Sequence, residues 1–226
     1  MPLADRRTPQ RLERSVRPLL LTWLVGVAIL GVVRAQTAAA PEELFLDATS
    51  VAGVRWYAGV LSSLGVLAWT VAISGCAATA YVARLGGRTG AARAFGFAVP
   101  LFTIHLLDDL FAFHADLLPR ATGLPKAGWI ALLVAASAVW FVAASPELLR
   151  TRWGLLVAAG ASLAASVLVD AVVGSGGTWY LLAEDGPKLL GVLALAAWAV
   201  TSAADIIRSV IDELASRSAA ADRVSA

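Results

Sequence analysis

The side chains of this sequence that could do chemistry stand near the ends of three strongly apolar stretches. They are His105, Asp108, Asp109 and His114 in the first stretch, Asp170 in the second, and Glu184, Asp185 and Lys188 in the third. Imidazoles and carboxylates can together bind a divalent metal or transfer protons. An ionised group in an apolar membrane segment costs several kcal/mol unless it has a partner, so such groups normally face one another and mark a site.

The spacing in the first stretch places several of these side chains on one face of a helix. At about 100° per residue, Asp108 and Asp109 lie roughly −60° and +40° from His105. His114 falls about 180° from His105 on a continuous helix. We therefore expect His114 to join this polar face only if the helix unwinds before it.

The third stretch permits two local arrangements. Glu184 precedes Lys188 by four residues, which is the favourable order for an ion pair on a helix. Alternatively, Asp185 caps a new helix that starts at Gly186, with Pro187 in its first turn, where a missing N–H does no harm. A half-broken helix of this kind would expose backbone dipoles to a bound ion or substrate.

These residues predict either a metal site or a polar network. A divalent metal such as Zn, Fe or Mn would use ligands from the set His105, His114, Asp109 and Asp170. In a catalytic interpretation, His105, Asp108 and Asp109 bind a metal or activate water, Glu184 or Asp185 acts as general base, and Lys188 stabilises negative charge. In the alternative, hydrogen bonds among the same groups only fix the register of the helices, and Lys188 neutralises one acid.

The composition excludes several classes of protein. Of the 226 residues, 59% are hydrophobic and 15% are charged, whereas soluble domains carry about 45–50% apolar and about 25% charged residues. A soluble enzyme and a disordered chain are both excluded. The single cysteine, Cys76, excludes an intrachain disulfide framework.

The apolar stretches predict an all-α integral membrane protein with a six-helix bundle. A spanning helix needs about 20 mostly apolar residues, and six stretches qualify: residues 18–34, 56–84, 94–114, 128–144, 153–173 and 179–204. Breaks are expected at 86–90, 145–147 and 174–177, and Pro119 indicates that the chain has left the helix after the third span. The domains are then a basic leader (1–17), the membrane domain (18–208) and a tail (209–226). Residues 206–214 are expected to continue the last span as an amphipathic helix.

The distribution of basic residues predicts the orientation. Most of the 18 Lys and Arg residues fall on one side of these six spans. Since short loops rich in Lys and Arg stay inside, both termini are predicted to be cytoplasmic, in the plasma membrane, and the acidic clusters face outward. This one-sided distribution of basic residues is typical of a protein in a lipid bilayer, and we therefore predict the bilayer as its partner and no binding of nucleic acid. The first span can be an uncleaved anchor or a cleaved signal peptide.

Two motifs resemble those of a family of uncharacterised bacterial multi-span membrane proteins. The family has DDLFxxH followed by a glutamate and a proline, and EDGxKxxG in the last span; this sequence has Ala115 at the glutamate position. The glycines at 59 and 65 and the following Trp69 contribute to the resemblance. It implies a shared architecture and the importance of Asp108, Asp109, His114, Glu184, Asp185 and Lys188, but no activity.

A looser similarity is to the membrane hydrolases that include the alkaline ceramidases. Those proteins have seven spans and bind zinc through three histidines, whereas this sequence has six predicted spans and two histidines. The similarity is therefore an analogy for chemistry inside a helix bundle. It carries over no ligand unless carboxylates replace histidines.

The polar pocket supports three functional hypotheses. The first is a membrane-embedded, metal-dependent hydrolase acting on a small-molecule or lipid substrate. The second is a small carrier in which the carboxylates bind a proton or cation and Lys188 is their counter-ion. The third is an accessory subunit whose polar cluster only stabilises packing.

Overall fold

The computed structural model describes residues 59–115, 117–173 and 177–225, together with residues 23–24, 27–28, 31–32, 35 and 52–53. The chain divides into two compact units, Met1–Gly59 and Val60–Ala226. The predicted first span, residues 18–34, lies largely outside the described residues. All eight predicted site residues belong to the second unit.

This second unit is helical, with no strand among its described residues. Its helices are α1 (Val60–Leu85), α2 (Thr89–Phe111), α3 (Leu117–Thr122), α4 (Lys126–Leu148), α5 (Trp153–Val173) and α6 (Gly177–Ser225). All except the short α3 contain a segment that is long and apolar enough to cross a membrane. The prediction of an all-α membrane protein is confirmed, and the last five predicted spans correspond to these five long helices.

The break predicted at residues 145–147 is wrong, because α4 continues through Pro146 to Leu148. A proline inside a helix leaves the carbonyl four residues earlier without its N–H partner. Here the Ser145 hydroxyl donates to that carbonyl, Val142 O, at 2.8 Å. The neighbouring serine therefore replaces the hydrogen bond that Pro146 cannot make.

The chain has left the long helix before Pro119, as expected, because α2 ends at Phe111; Pro119 lies in the first turn of the separate α3, where its missing N–H is not needed. The alternative helix start at Gly186 is wrong, because α6 runs unbroken through Gly186 and Pro187. Asp185 is consequently not a cap.

Close helix packing depends on small residues. α6 packs against α1 and α5, α1 also packs against α2, and α2 packs against α4. A Cβ added to Gly75 of α1 would lie 3.0 Å from the backbone carbon of Ala199 in α6. Inside a membrane, an apolar side chain gains little by leaving lipid for another helix, because lipid is equally apolar. Helices therefore associate through close van der Waals packing, which small residues such as Gly75 permit.

Aromatic side chains fill the middle of the bundle. Trp198 of α6 stacks on Phe95 of α2 at 5.1 Å and meets Trp140 of α4 edge-on at 6.2 Å. Phe102 contacts both Trp140 and Trp69 of α1, with ring centroids 5.3 and 5.9 Å apart. Four helices thus share one continuous aromatic core.

The bundle has a basic end, which carries the connection between α1 and α2 and the connection between α4 and α5. The Arg88 guanidinium donates to Ser209 Oγ at 2.5 Å and lies 3.5 Å from Glu213 Oε2, and Arg152 lies 3.4 Å from Asp205. These contacts dock the long extension of α6, whose helical continuation past residue 204 is confirmed. The other end, which we call the polar end, carries the ends of α2 and α5 and the starts of α4 and α6. That the basic end is cytoplasmic stays a prediction.

We expect Gly75→Ala to destabilise the bundle, because the new methyl group would meet the Ala199 backbone and push α6 from α1. Overpacking of this kind costs about 1–3 kcal/mol. Gly96→Ala is the control, since a Cβ there meets nothing within 4 Å and alanine favours a helix by about 1 kcal/mol over glycine. Melting curves of the purified variants in one detergent test this; equal melting temperatures would contradict it.

Candidate functional site

A cavity of about 690 Å³ lies among the five long helices. Its lining includes side chains from each of them, and most of these are apolar. Along α5 the lining runs from Leu156 to Asp170, which at 1.5 Å per residue is roughly 21 Å. The ionisable groups that line it are His105, Asp108, Asp109, His114, Asp170, Glu184 and Lys188. Seven of the eight predicted site residues therefore share this space, which we call the central cavity.

His114 reaches the cavity because α2 ends before it. Ala112 adopts the left-handed conformation (φ 49°, ψ 40°), and the chain folds back. The His114 backbone N–H donates to Asp108 Oδ1 at 2.8 Å, and His114 Nδ1 lies 2.7 Å from Asp108 Oδ2. The condition set by the sequence, that the helix must unwind before His114, is met.

This double contact determines how His114 presents its ring. A carboxylate beside Nδ1 favours the tautomer with the proton on Nδ1, which leaves a lone pair on Nε2. Within the described part of the chain, Nε2 has no hydrogen-bond partner. Asp108 thus orients an imidazole whose other nitrogen can accept a proton.

Lys188 pairs with Asp109 across the bundle. Its ammonium contacts Asp109 Oδ1, which joins α6 to α2. The Asp109 side chain is 13% exposed and that of Lys188 is 39% exposed. The expected local pair between Glu184 and Lys188 is therefore not the ion pair that forms.

The two acids at the start of the third polar stretch have different surroundings. Glu184 is half-buried and lines the central cavity, and within the described residues it has no ion-pair or hydrogen-bond partner. Asp185 is exposed and is not among the cavity residues. One step of about 100° around α6 explains this difference. The structure does not bring Asp185 to the site.

His105 belongs to a contact between helices. Its Nε2 lies 2.9 Å from Ser137 Oγ of α4, and Ser137 Oγ donates to Leu133 O. Because the hydroxyl has a single proton, Ser137 accepts from His105 Nε2–H. The imidazole also stacks on Trp69, with ring centroids 5.6 Å apart. His105 is thus positioned to hold α1, α2 and α4 together and does not activate Ser137.

At the polar end, an ion pair joins the two helices that flank the cavity. Lys126 Nζ, at the first residue of α4, lies 2.9 and 2.8 Å from the two carboxylate oxygens of Asp170 near the end of α5. At the basic end, α4 and α5 are joined by residues 149–152. The pair of helices is therefore held at both ends, with the cavity between them.

The metal site stays a prediction that this geometry does not support. In the described ranges, no group of three or more His, Cys, Asp or Glu side chains is placed to hold a metal ion. The four predicted ligands are divided among separate partners: His114 with Asp108, His105 with Ser137, Asp109 with Lys188, and Asp170 with Lys126.

Local sequence patterns did not reveal the partners of two predicted site residues, Asp170 and His105. Lys126 and Ser137 lie 44 and 32 positions from their partners, and no local pattern connects residues that far apart. Trp69 and Trp140 pack against Phe102 inside the bundle and form the inner wall of the cavity. The Trp69 Nε1 atom is buried without an acceptor among the described residues, so water or a ligand in the cavity would stabilise it.

Together, these features describe an all-helical membrane protein with a largely apolar cavity that is charged at one end. The chain belongs to the family described as Domain of unknown function (DUF8692), which matches residues 19–202. No curated protein and no solved structure matches the chain. The family match agrees with the resemblance to uncharacterised membrane proteins, and the comparisons give no support to the analogy with ceramidases.

We expect Ala112→Gly to stabilise the turn that brings His114 to Asp108. A non-glycine residue in the left-handed conformation costs about 1–2 kcal/mol, and glycine avoids this cost. Ala121→Gly, in the exposed α3, should instead lower stability by about 1 kcal/mol. Thermal unfolding of both variants under identical conditions is the measurement. If Ala112→Gly destabilised as much as Ala121→Gly, the left-handed turn would be refuted.

Proposed function

We propose that this protein binds an amphipathic, lipid-like molecule in the central cavity. The observation that carries the proposal is a space of about 690 Å³ with mostly apolar walls and ionisable groups gathered at one end. Binding sites for small molecules are usually cavities of about 300–1,000 Å³ with apolar walls and a few placed polar groups. A molecule with the same division into apolar and polar parts matches both regions.

The orientation of the ligand depends on the lining. Its apolar chain would lie along α4 and α5 against Trp69, Phe102 and Trp140, at the inner wall. Its polar group would meet the Asp108–His114 pair and the Lys188–Asp109 pair. Since α4 and α5 are not among the closely packed helix pairs of the described region, we propose that the ligand enters from the bilayer between them.

We expect Gly160→Phe to block this cavity. Gly160 lines it, and a Cβ there would meet nothing within 4 Å, so a phenyl ring has room to enter the space. Gly154→Phe is the matched control, because Gly154 lies on the same helix, also has open space around it, and is not a cavity residue. Binding is measured by quenching of tryptophan fluorescence with a spin-labelled long-chain amphiphile in lipid nanodiscs.

Gly160→Phe should raise the dissociation constant obtained from saturable quenching by at least about tenfold, equivalent to about 1.4 kcal/mol of binding free energy. Gly154→Phe should leave it unchanged. Equal quenching in all three proteins would exclude the cavity as the binding site. Melting temperatures of the empty proteins show whether either variant is misfolded.

A second function, hydrolysis without a metal, is favoured by the Asp108–His114 pair. A base held by a third group is the arrangement that activates water or a hydroxyl nucleophile. His114 Nε2 would take a proton from water while the water oxygen bonds to an acyl carbon. The same proton would pass to the leaving oxygen as its bond to that carbon breaks. Lys188 would stabilise the negative charge that develops on the carbonyl oxygen.

We expect His114→Gln to reduce hydrolysis of a long-chain nitrophenyl ester by about 10²-fold or more, because a general base contributes about 10²–10⁴. Binding of the spin-labelled amphiphile should change little, since the cavity remains. Asp185→Asn is the control, and a chelator should have no effect in any of the proteins. Unchanged turnover in His114→Gln would rule out this role for the imidazole while leaving the binding proposal intact.

A further inference from the structure

The charges that line the central cavity are unequal in sign. Among the residues that the structure describes, four carboxyl groups line it, at Asp108, Asp109, Asp170 and Glu184, but only one lysine, Lys188. Lys126, which is not a lining residue, pairs with Asp170. Asp108 accepts from the backbone and faces the ring of His114. Both lysines of this region are therefore engaged by two of the four acids.

Glu184 is the acid for which this arrangement supplies no cation. It is half-buried, it lines the cavity, and it has no ion-pair or hydrogen-bond partner in the described part of the chain. The nearest candidate along α6, Lys188, is paired with Asp109. A carboxylate that is partly removed from water without a partner is unfavourable, and a cation that reached it would offset the cost.

Glu184 lies four residues, or about 6 Å along the helix axis, before Lys188. It is thus nearer to the start of α6 at the polar end than the Lys188–Asp109 pair. A ligand whose chain fills the apolar part of the cavity would carry its polar group to this level. The space that would admit the chain is thus also lined by Glu184, an acid without a partner among the described residues.

From this juxtaposition we propose that the amphipathic ligand is a cation: a long-chain amine or ammonium compound whose charged group pairs with Glu184. The proposal rests on the binding function above and specifies its ligand class. An anionic lipid is disfavoured, since its head group would meet a surplus of carboxylates. A free inorganic cation would leave the large apolar part of the cavity unused.

The test compares amphiphiles that share a chain and differ in charge. Dodecylamine, dodecanol and dodecanoate compete with the spin-labelled probe for the protein in phosphatidylcholine nanodiscs, and Gly160→Phe supplies the background. In the wild type we expect dodecylamine to compete at least about tenfold better than dodecanol, as a hydrogen bond to a charged group contributes more than about 1.4 kcal/mol. Dodecanoate should be the weakest competitor.

Variants of the neighbouring acids make the test specific. Glu184→Gln should remove the preference for the amine without affecting dodecanol, whereas Glu184→Asp should retain much of it. Asp185→Asn is the matched control, because it removes an equal charge from the exposed side of the same turn. Asp185→Asn should leave the preference intact. Melting temperatures without ligand confirm that each variant is folded.

The outcomes separate this inference from the function on which it rests. If the wild type binds all three amphiphiles equally, or if Asp185→Asn abolishes the preference as fully as Glu184→Gln, the cationic ligand is overturned and the amphipathic cavity stands. If none of the amphiphiles competes above the Gly160→Phe background, the binding function itself fails.

Discussion

A charge inside an apolar bundle must find a partner, and here the partners come from other helices. Lys188 of α6 contacts Asp109 of α2, and Lys126 of α4 contacts Asp170 of α5. Removing one member of a buried pair costs about 3–5 kcal/mol, whereas an exposed pair is worth about 0–1 kcal/mol. These half-buried contacts lie between those limits. They hold the polar end of the bundle together and so determine the shape of the cavity there.

The position of α4 depends most on such contacts. Of its 23 residues, only Ala144 and Leu148 are buried, and both lie near the basic end. Farther along, α4 is held by the hydrogen bond that Ser137 accepts from His105 and by the ion pair of Lys126 with Asp170. Tight packing at one end and isolated polar contacts toward the other allow a cavity to persist between α4 and α5. The polar groups are thus part of the architecture as well as of the site.

Much of the site was predictable because helical spacing is a local property. His105, Asp108 and Asp109 all line the cavity, as their shared face implied. For His114, the sequence indicated only that the residue reaches the site if the helix unwinds before it. Whether the helix unwinds was not predictable, because the left-handed turn at Ala112 is stabilised by the contact that it creates between His114 and Asp108. The partner of Lys188 was predicted incorrectly. Glu184 is four residues away along α6, but Asp109 approaches from another helix.

The sequence by itself determined that this is a helical membrane protein, because the free energy of placing apolar side chains in lipid depends on each segment alone. It also determined that polar groups gather near the ends of three of the apolar segments. Only the tertiary structure decided which acids have cations, that Asp185 is exposed while Glu184 lines the cavity, and how large that cavity is. Those properties depend on distances between helices, which are set by interhelical packing and which no local pattern encodes.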